Sequence, residues 1–122
     1  PAHTNEERTI AWTNILNEFQ VDVIDYSGLE AYRRYGWQRQ LHLFEVPFYY
    51  IEYGIAQLGA IGLWQQYQQN ADAAVNNYMK ALKQGGMKTL PALFEEAGLR
   101  FDFSPAYISQ LMQFVKKELD SQ

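Results

Sequence analysis

The chain has 122 residues, long enough for one domain with a usable core and no more. Hydrophobic residues make up 48% and aromatics 16%, which argues against disorder, while a net charge of −4 without any basic run excludes phosphate-backbone binding and so nucleic acid. Cysteine is absent, so thiol nucleophiles, disulfides and cysteine-held metals are excluded, and a cytoplasmic setting is expected.

The N-terminal PAHTNEER is polar and acidic and has no signal-peptide pattern. Thr4-Asn5-Glu6-Glu7 then reads as a capping box, with Thr4 as N-cap. Ala11, Trp12, Ile15, Leu16 and Phe19 recur at helical spacing, so a first helix is expected over about 5–19. Residues 20–25 (QVDVID) alternate weakly but have no partner strand and are read as a loop.

Ser27 and Glu30 form a second capping-box pattern. Leu29, Tyr32, Leu41 and Phe44 fall near one face, with Arg33, Arg34, Gln38 and Arg39 supplying a polar side. A continuous second helix is expected to run to Pro47, which disfavours helical geometry in the residue before it. Pro47 also suits the first turn of a third helix, expected over about 48–69.

That third helix is apolar nearly all round, the pattern of an interior helix. It is as long as a membrane span, but Pro47, Glu52, Gln57 and dense tyrosine favour burial in protein. Gly54, Gly59 and Gly62 each cost up to ~1 kcal/mol of helix propensity, which points to close approach of other backbones. Glu52 interrupts the apolar run and calls for a partner such as Arg33, Arg34 or Arg39, or for a polar cleft. A fourth helix, Asn70 to Gln84, should turn Ala74, Val75, Tyr78, Met79 and Leu82 inward before Gly85-Gly86 ends it. Thr89-Leu90-Pro91 opens a short fifth helix with Leu93, Phe94 and Ala97 inward, stopped by Gly98. Ser104-Pro105 opens a sixth, with Ile108, Leu111, Met112, Val115 and Leu119 on one face. No repeat is present. The expected fold is all-α: about six helices packed around the central apolar helix at about 48–69.

Chemistry concentrates between His42 and Tyr53. Tyr50 and Tyr53 are three apart and share a helix face. Neutral tyrosine hydroxyls can donate to a developing oxyanion, a role worth ~3 kcal/mol in the transition state. The plainer reading makes these tyrosines amphipathic packing residues and His42 a hydrogen-bonded imidazole. His42, Glu45 and Glu52 are the only grouping that suggests a metal. No HExxH and no pair of Glu-x-x-His motifs accompanies them, so no metal site is expected in this chain.

The residues HLFEVPFYYIEYGIAQLGA (42–60), preceded by YRRYGWQRQ (32–40) and followed by LKQGGMKTLPALFEEAGLRFDFS (82–104), carry a resemblance. Over roughly Thr4 to Leu119 the chain resembles the oligoendopeptidase F group of zinc metallopeptidases, relatives of thimet oligopeptidase. The resemblance implies a helical C-terminal portion of a longer enzyme that cleaves short peptides in a deep channel. In that family zinc is held by the two histidines of HExxH and a later glutamate, and the motif glutamate activates the metal-bound water. None of these residues occurs here, so zinc belongs to the parent enzyme and the chain alone should be inactive. The family's C-terminal part supplies a histidine and tyrosines on the substrate side. Carried over, His42 and Tyr49 bind substrate while Tyr50 and Tyr53 stabilise the oxyanion, with Tyr49 as the alternative to Tyr50. The expected partners are a short peptide substrate and the missing N-terminal catalytic portion, with no nucleic acid and no membrane. The competing reading is a non-enzymatic helical interaction module, self-associating through exposed apolar surface to form a homo-oligomer.

Overall fold

The computed structural model describes residues 3–21 and 23–121. All regular structure among them is helical: seven α-helices and two 3-10 turns, with no strand. The chain divides into two compact units, Pro1–Tyr50 and Ile51–Gln122.

In the first unit, α1 (Asn5–Phe19) begins as its capping box dictates. Thr4 Oγ1 accepts from the Glu7 backbone N–H at 3.2 Å, and the Glu7 carboxylate accepts from the Thr4 N–H at 2.7 Å. Two tryptophans tie α1 to the chain that follows. The Trp37 indole donates to Thr9 Oγ1 at 3.1 Å, and the Thr9 hydroxyl donates on to the Asn5 carbonyl at 2.8 Å. Both Thr9 and Trp37 are buried, so this short relay satisfies polar groups that water cannot reach. The Trp12 indole donates to the Arg33 carbonyl at 3.1 Å.

That last bond explains a departure from expectation. The second helix is not continuous. It is broken into α2 (Glu30–Arg34), a 3-10 turn (Gly36–Arg39) and α3 (His42–Glu45). In an unbroken helix the Arg33 carbonyl would accept from the N–H of Trp37. Trp12 takes that carbonyl instead, and Gly36 lies close enough that a Cβ would sit 3.4 Å from the Trp12 indole nitrogen. Ser27 is not the N-cap either. Its N–H and hydroxyl both donate to Asp25 Oδ1, at 2.9 and 2.6 Å, and the cap position falls to Leu29 without a side-chain bond. Within the expected loop at 20–25, the described residues are neither helix nor strand.

The third helix starts later than expected. Phe48 has φ +66°, a left-handed conformation that no right-handed helix contains and that costs a non-glycine residue about 1–2 kcal/mol. A 3-10 turn follows at Tyr49–Ile51, and α4 runs Glu52–Gln69. Glu52 thus stands in the first turn, where a carboxylate complements the helix dipole.

In the second unit, α4 packs against α5 (Ala71–Leu82) and α7 (Pro105–Asp120), and α5 packs against α6 (Leu90–Glu96). The Ser104 side chain caps α7 as its position suggested, whereas Asn70, expected to begin the fourth helix, instead precedes α5 and caps it by accepting from the Ala73 N–H. Gly98 (φ +73°) turns the chain after α6. Leu111, Tyr107, Ala97 and Ala74 are the buried apolar residues here. Around them the Trp64 and Phe114 rings meet edge-on at 4.8 Å, and Phe94, Phe101 and Phe103 form an edge-to-face row. Glu96 bridges two lysines, Lys80 of α5 at 2.6 Å and Lys88 at 2.5 Å.

Two packing expectations fail. Gly59 and Gly62 do mark close approach, but of side chains: a Cβ would meet the Phe94 ring at 3.1 Å and Leu99 Cδ2 at 2.9 Å respectively. Gly54 has nothing within 4 Å. On α5 only Ala74 is buried, whereas Val75, Tyr78, Met79 and Leu82, expected inward, are about half exposed. The accessible surface is 9606 Å². Two separate compact globules of these sizes would expose roughly 8,100 Å². Phe19, Val23, Phe48 and Met87 are each at least 80% exposed, so apolar side-chain area is part of what is left uncovered. No helix among the described residues is long and apolar enough to cross a membrane.

Candidate functional site

The first unit brings together three of the residues singled out by sequence. His42 opens α3, a single turn closed by the Glu45 N–H donating to the Leu41 carbonyl at 2.9 Å. The chain reverses through Pro47 and the left-handed Phe48, and the Tyr49 N–H donates to the Val46 carbonyl at 3.1 Å. This reversal returns two tyrosines to the imidazole. The Tyr49 ring stacks on it, with centroids 6.1 Å apart and planes 5° from parallel. The Tyr50 ring is tilted by 49° at 5.4 Å. His42 is half-buried and both tyrosines are exposed along part of their rings. The group therefore sets an imidazole between two phenol rings at the surface of the first unit.

Tyr53 belongs to the second unit, in the first turn of α4, and is exposed. Tyr49 and Tyr50, the two alternatives for one role, both contact the imidazole ring, so ring contact does not separate them.

Two of the three arginines expected to answer Glu52, Arg33 and Arg34, are engaged inside the first unit. Arg33 donates to Asn17 Oδ1 at 2.8 Å and also to Gln20 Oε1, and its guanidinium lies 4.9 Å from the centre of the Tyr26 ring. Arg34 pairs with Glu6 at 2.6 Å. Among the described residues no group of three or more metal-ligating side chains converges, so joining His42, Glu45 and Glu52 into a metal site has no geometric support.

Two features were not foreseen. Phe48 is 97% exposed despite its unfavourable backbone, directly beside the histidine–tyrosine group. The other is a hollow of about 510 Å³ whose walls include Glu6, Thr13, Asn17, Glu30, Arg33 and Arg34. Its wall residues come from α1 and from the chain around α2, and only their meeting in space defines it. Its two arginines are balanced by two glutamates, so it has no strong preference for an anion. No family model, curated protein or solved structure matches the chain.

Proposed function

We propose that this chain is the substrate-binding and oxyanion-stabilising C-terminal portion of a zinc-dependent oligopeptidase, with α4 as the central helix of a larger helical domain. The observation that carries the reading is the gathering of His42, Tyr49 and Tyr50 into one open aromatic group. Sequence resemblance assigns that group to substrate contact, and an imidazole with phenolic donors suits the polar backbone of a peptide. In this reading His42 and Tyr49 hold the peptide. Tyr50 and Tyr53 donate hydrogen bonds to the oxygen of the scissile carbonyl as it becomes negative. Each such donor is worth ~3 kcal/mol when aimed at the transition state.

The chain's two histidines, His3 and His42, do not form HExxH. The zinc, its ligands and the general base would come from sequence outside these residues. The large uncovered apolar surface agrees with a body that packs against more protein. The test compares the chain alone with the chain extended through its upstream reading frame. Only the extended enzyme should cleave a short fluorogenic peptide, and a chelator should abolish the cleavage. Zinc-dependent cleavage by the 122 residues alone would overturn the proposal.

The same uncovered surface favours a second reading, a non-enzymatic helical module that associates through its apolar faces. The two part on one observation. An upstream frame that contains HExxH selects the first, and a frame without it selects the second.

A further inference from the structure

Helix α5 carries an apolar stripe that its own unit leaves about half uncovered. Val75, Tyr78, Met79 and Leu82 recur at three- and four-residue spacing, and each is between 45% and 54% exposed. Two hollows adjoin the stripe. One, of about 230 Å³, is walled in part by Tyr67, Val75 and Tyr78. The other, of about 400 Å³, is walled in part by Tyr78, Leu82 and Leu90. Tyr78 is common to both, so the apolar surface runs on unbroken across it, and no charged residue lines either hollow.

The size of the patch restricts what can cover it. These six side chains, each about half exposed, offer on the order of 500 Å². Burying the same patch on two molecules would remove about 1,000 Å² from water, the lower edge of a specific interface.

Charge restricts it further. Asp72 stands in the first turn of α5 and Lys83 caps its far end. They are about three turns apart and therefore nearly in line along the helix, with Met79 between them on the same line. Laid antiparallel about a two-fold axis passing between Tyr78 and Met79, Val75 of one helix faces Leu82 of the other. Asp72 of each then comes within a turn of Lys83 of the other. A parallel arrangement would put the two Asp72 carboxylates at one height on opposite flanks, and the two Lys83 amines likewise, so neither charge would meet an opposite one. We infer that the α5 face is the contact between two copies of this chain, paired antiparallel about a two-fold axis. The inference does not depend on the peptidase reading.

Sedimentation equilibrium of the full chain tests it. A reversible dimer is expected, with a dissociation constant of roughly 1–100 µM for so small an interface. Met79→Glu, which places a carboxylate at the centre, should weaken it at least ~100-fold. Asp72→Lys and Lys83→Glu alone should each weaken it several-fold, and the double exchange should regain most of the loss. Far-UV circular dichroism of each variant confirms that α5 still forms. A chain that stays monomeric to ~1 mM overturns the inference and leaves the face to another part of a longer protein. A dimer indifferent to Met79→Glu overturns the choice of face. A double exchange no better than either single change overturns the antiparallel register.

Discussion

The three glycines of α4 read alike in sequence, yet the structure gives them opposite responses to alanine. Gly54 lies in the first turn of α4, and a Cβ there meets nothing within 4 Å. Gly54→Ala should stabilise the second unit by about 0.5–1 kcal/mol, through helix propensity and the narrower unfolded ensemble. For a unit of this size that raises the midpoint of thermal unfolding by roughly 2–8 °C. At Gly62 the same gain is opposed by a Cβ placed 2.9 Å from Leu99 Cδ2 and 3.6 Å from the Tyr107 hydroxyl. Tyr107 is buried, so Leu99 must do most of the moving. Overpacking of this kind costs about 1–3 kcal/mol, so Gly62→Ala should be destabilising by up to ~2 kcal/mol net. At Gly59 the obstacle is the Phe94 ring at 3.1 Å, held in turn edge-on against Phe101 at 5.1 Å. Gly59→Ala should also lose stability, by about 0.5–2 kcal/mol. Thermal and urea unfolding followed by circular dichroism measure all three. Gly54→Ala as harmful as Gly62→Ala would refute the packing described for α4.

Other consequences concern both units. Thr9→Val leaves the buried Trp37 N–H without its acceptor and should cost about 1–3 kcal/mol in urea unfolding, whereas Thr9→Ser should retain most of the stability. Lys80 and Lys88, hydrogen-bonded to Glu96, hold its carboxyl down to about 2, against an ordinary 4.5. A carboxylate held low lends stability above its unfolded pKa and loses it as pH falls through the folded one. The second unit should therefore weaken between about pH 4.5 and pH 2, and Glu96→Gln should remove that part of the dependence. NMR titration of the Glu96 side-chain carbon reads the midpoint directly, and an ordinary value would contradict the bridge. Phe48→Gly relieves the left-handed backbone and should gain up to about 1 kcal/mol, less what glycine adds to the freedom of the unfolded chain. Phe48→Ala should show no such gain in the same unfolding experiment.

What sequence could disclose was whatever is local. The Thr4 and Ser104 caps and the Gly98 stop depend on residues a few positions apart, and each is found where the pattern indicated. The break in the second helix was hidden because its cause is distant: Trp12, more than twenty positions away, takes the Arg33 carbonyl. The start of α4 was misjudged because Pro47 permits a helix start, while Phe48 adopts a turn for which its residue type gives no signal. The stripe on α5 was visible as periodicity, but periodicity marks an apolar face without saying what covers it. The same holds for the candidate site. The resemblance pointed to His42 and the tyrosines, and spacing only to the pairing of Tyr50 with Tyr53, whereas the stacking of Tyr49 on the imidazole accompanies the reversal at Phe48.

The central claim is that these residues form one wall of a peptide-cleaving site whose zinc lies elsewhere. Its most direct test is steady-state hydrolysis of a short peptide by the chain extended through its upstream reading frame, with and without Tyr53→Phe. The account predicts chelator-sensitive cleavage, and a loss of about 10²–10³ in kcat with KM little changed when the Tyr53 hydroxyl is removed. An extended chain without HExxH, or a Tyr53→Phe enzyme with unaltered kcat, would contradict it.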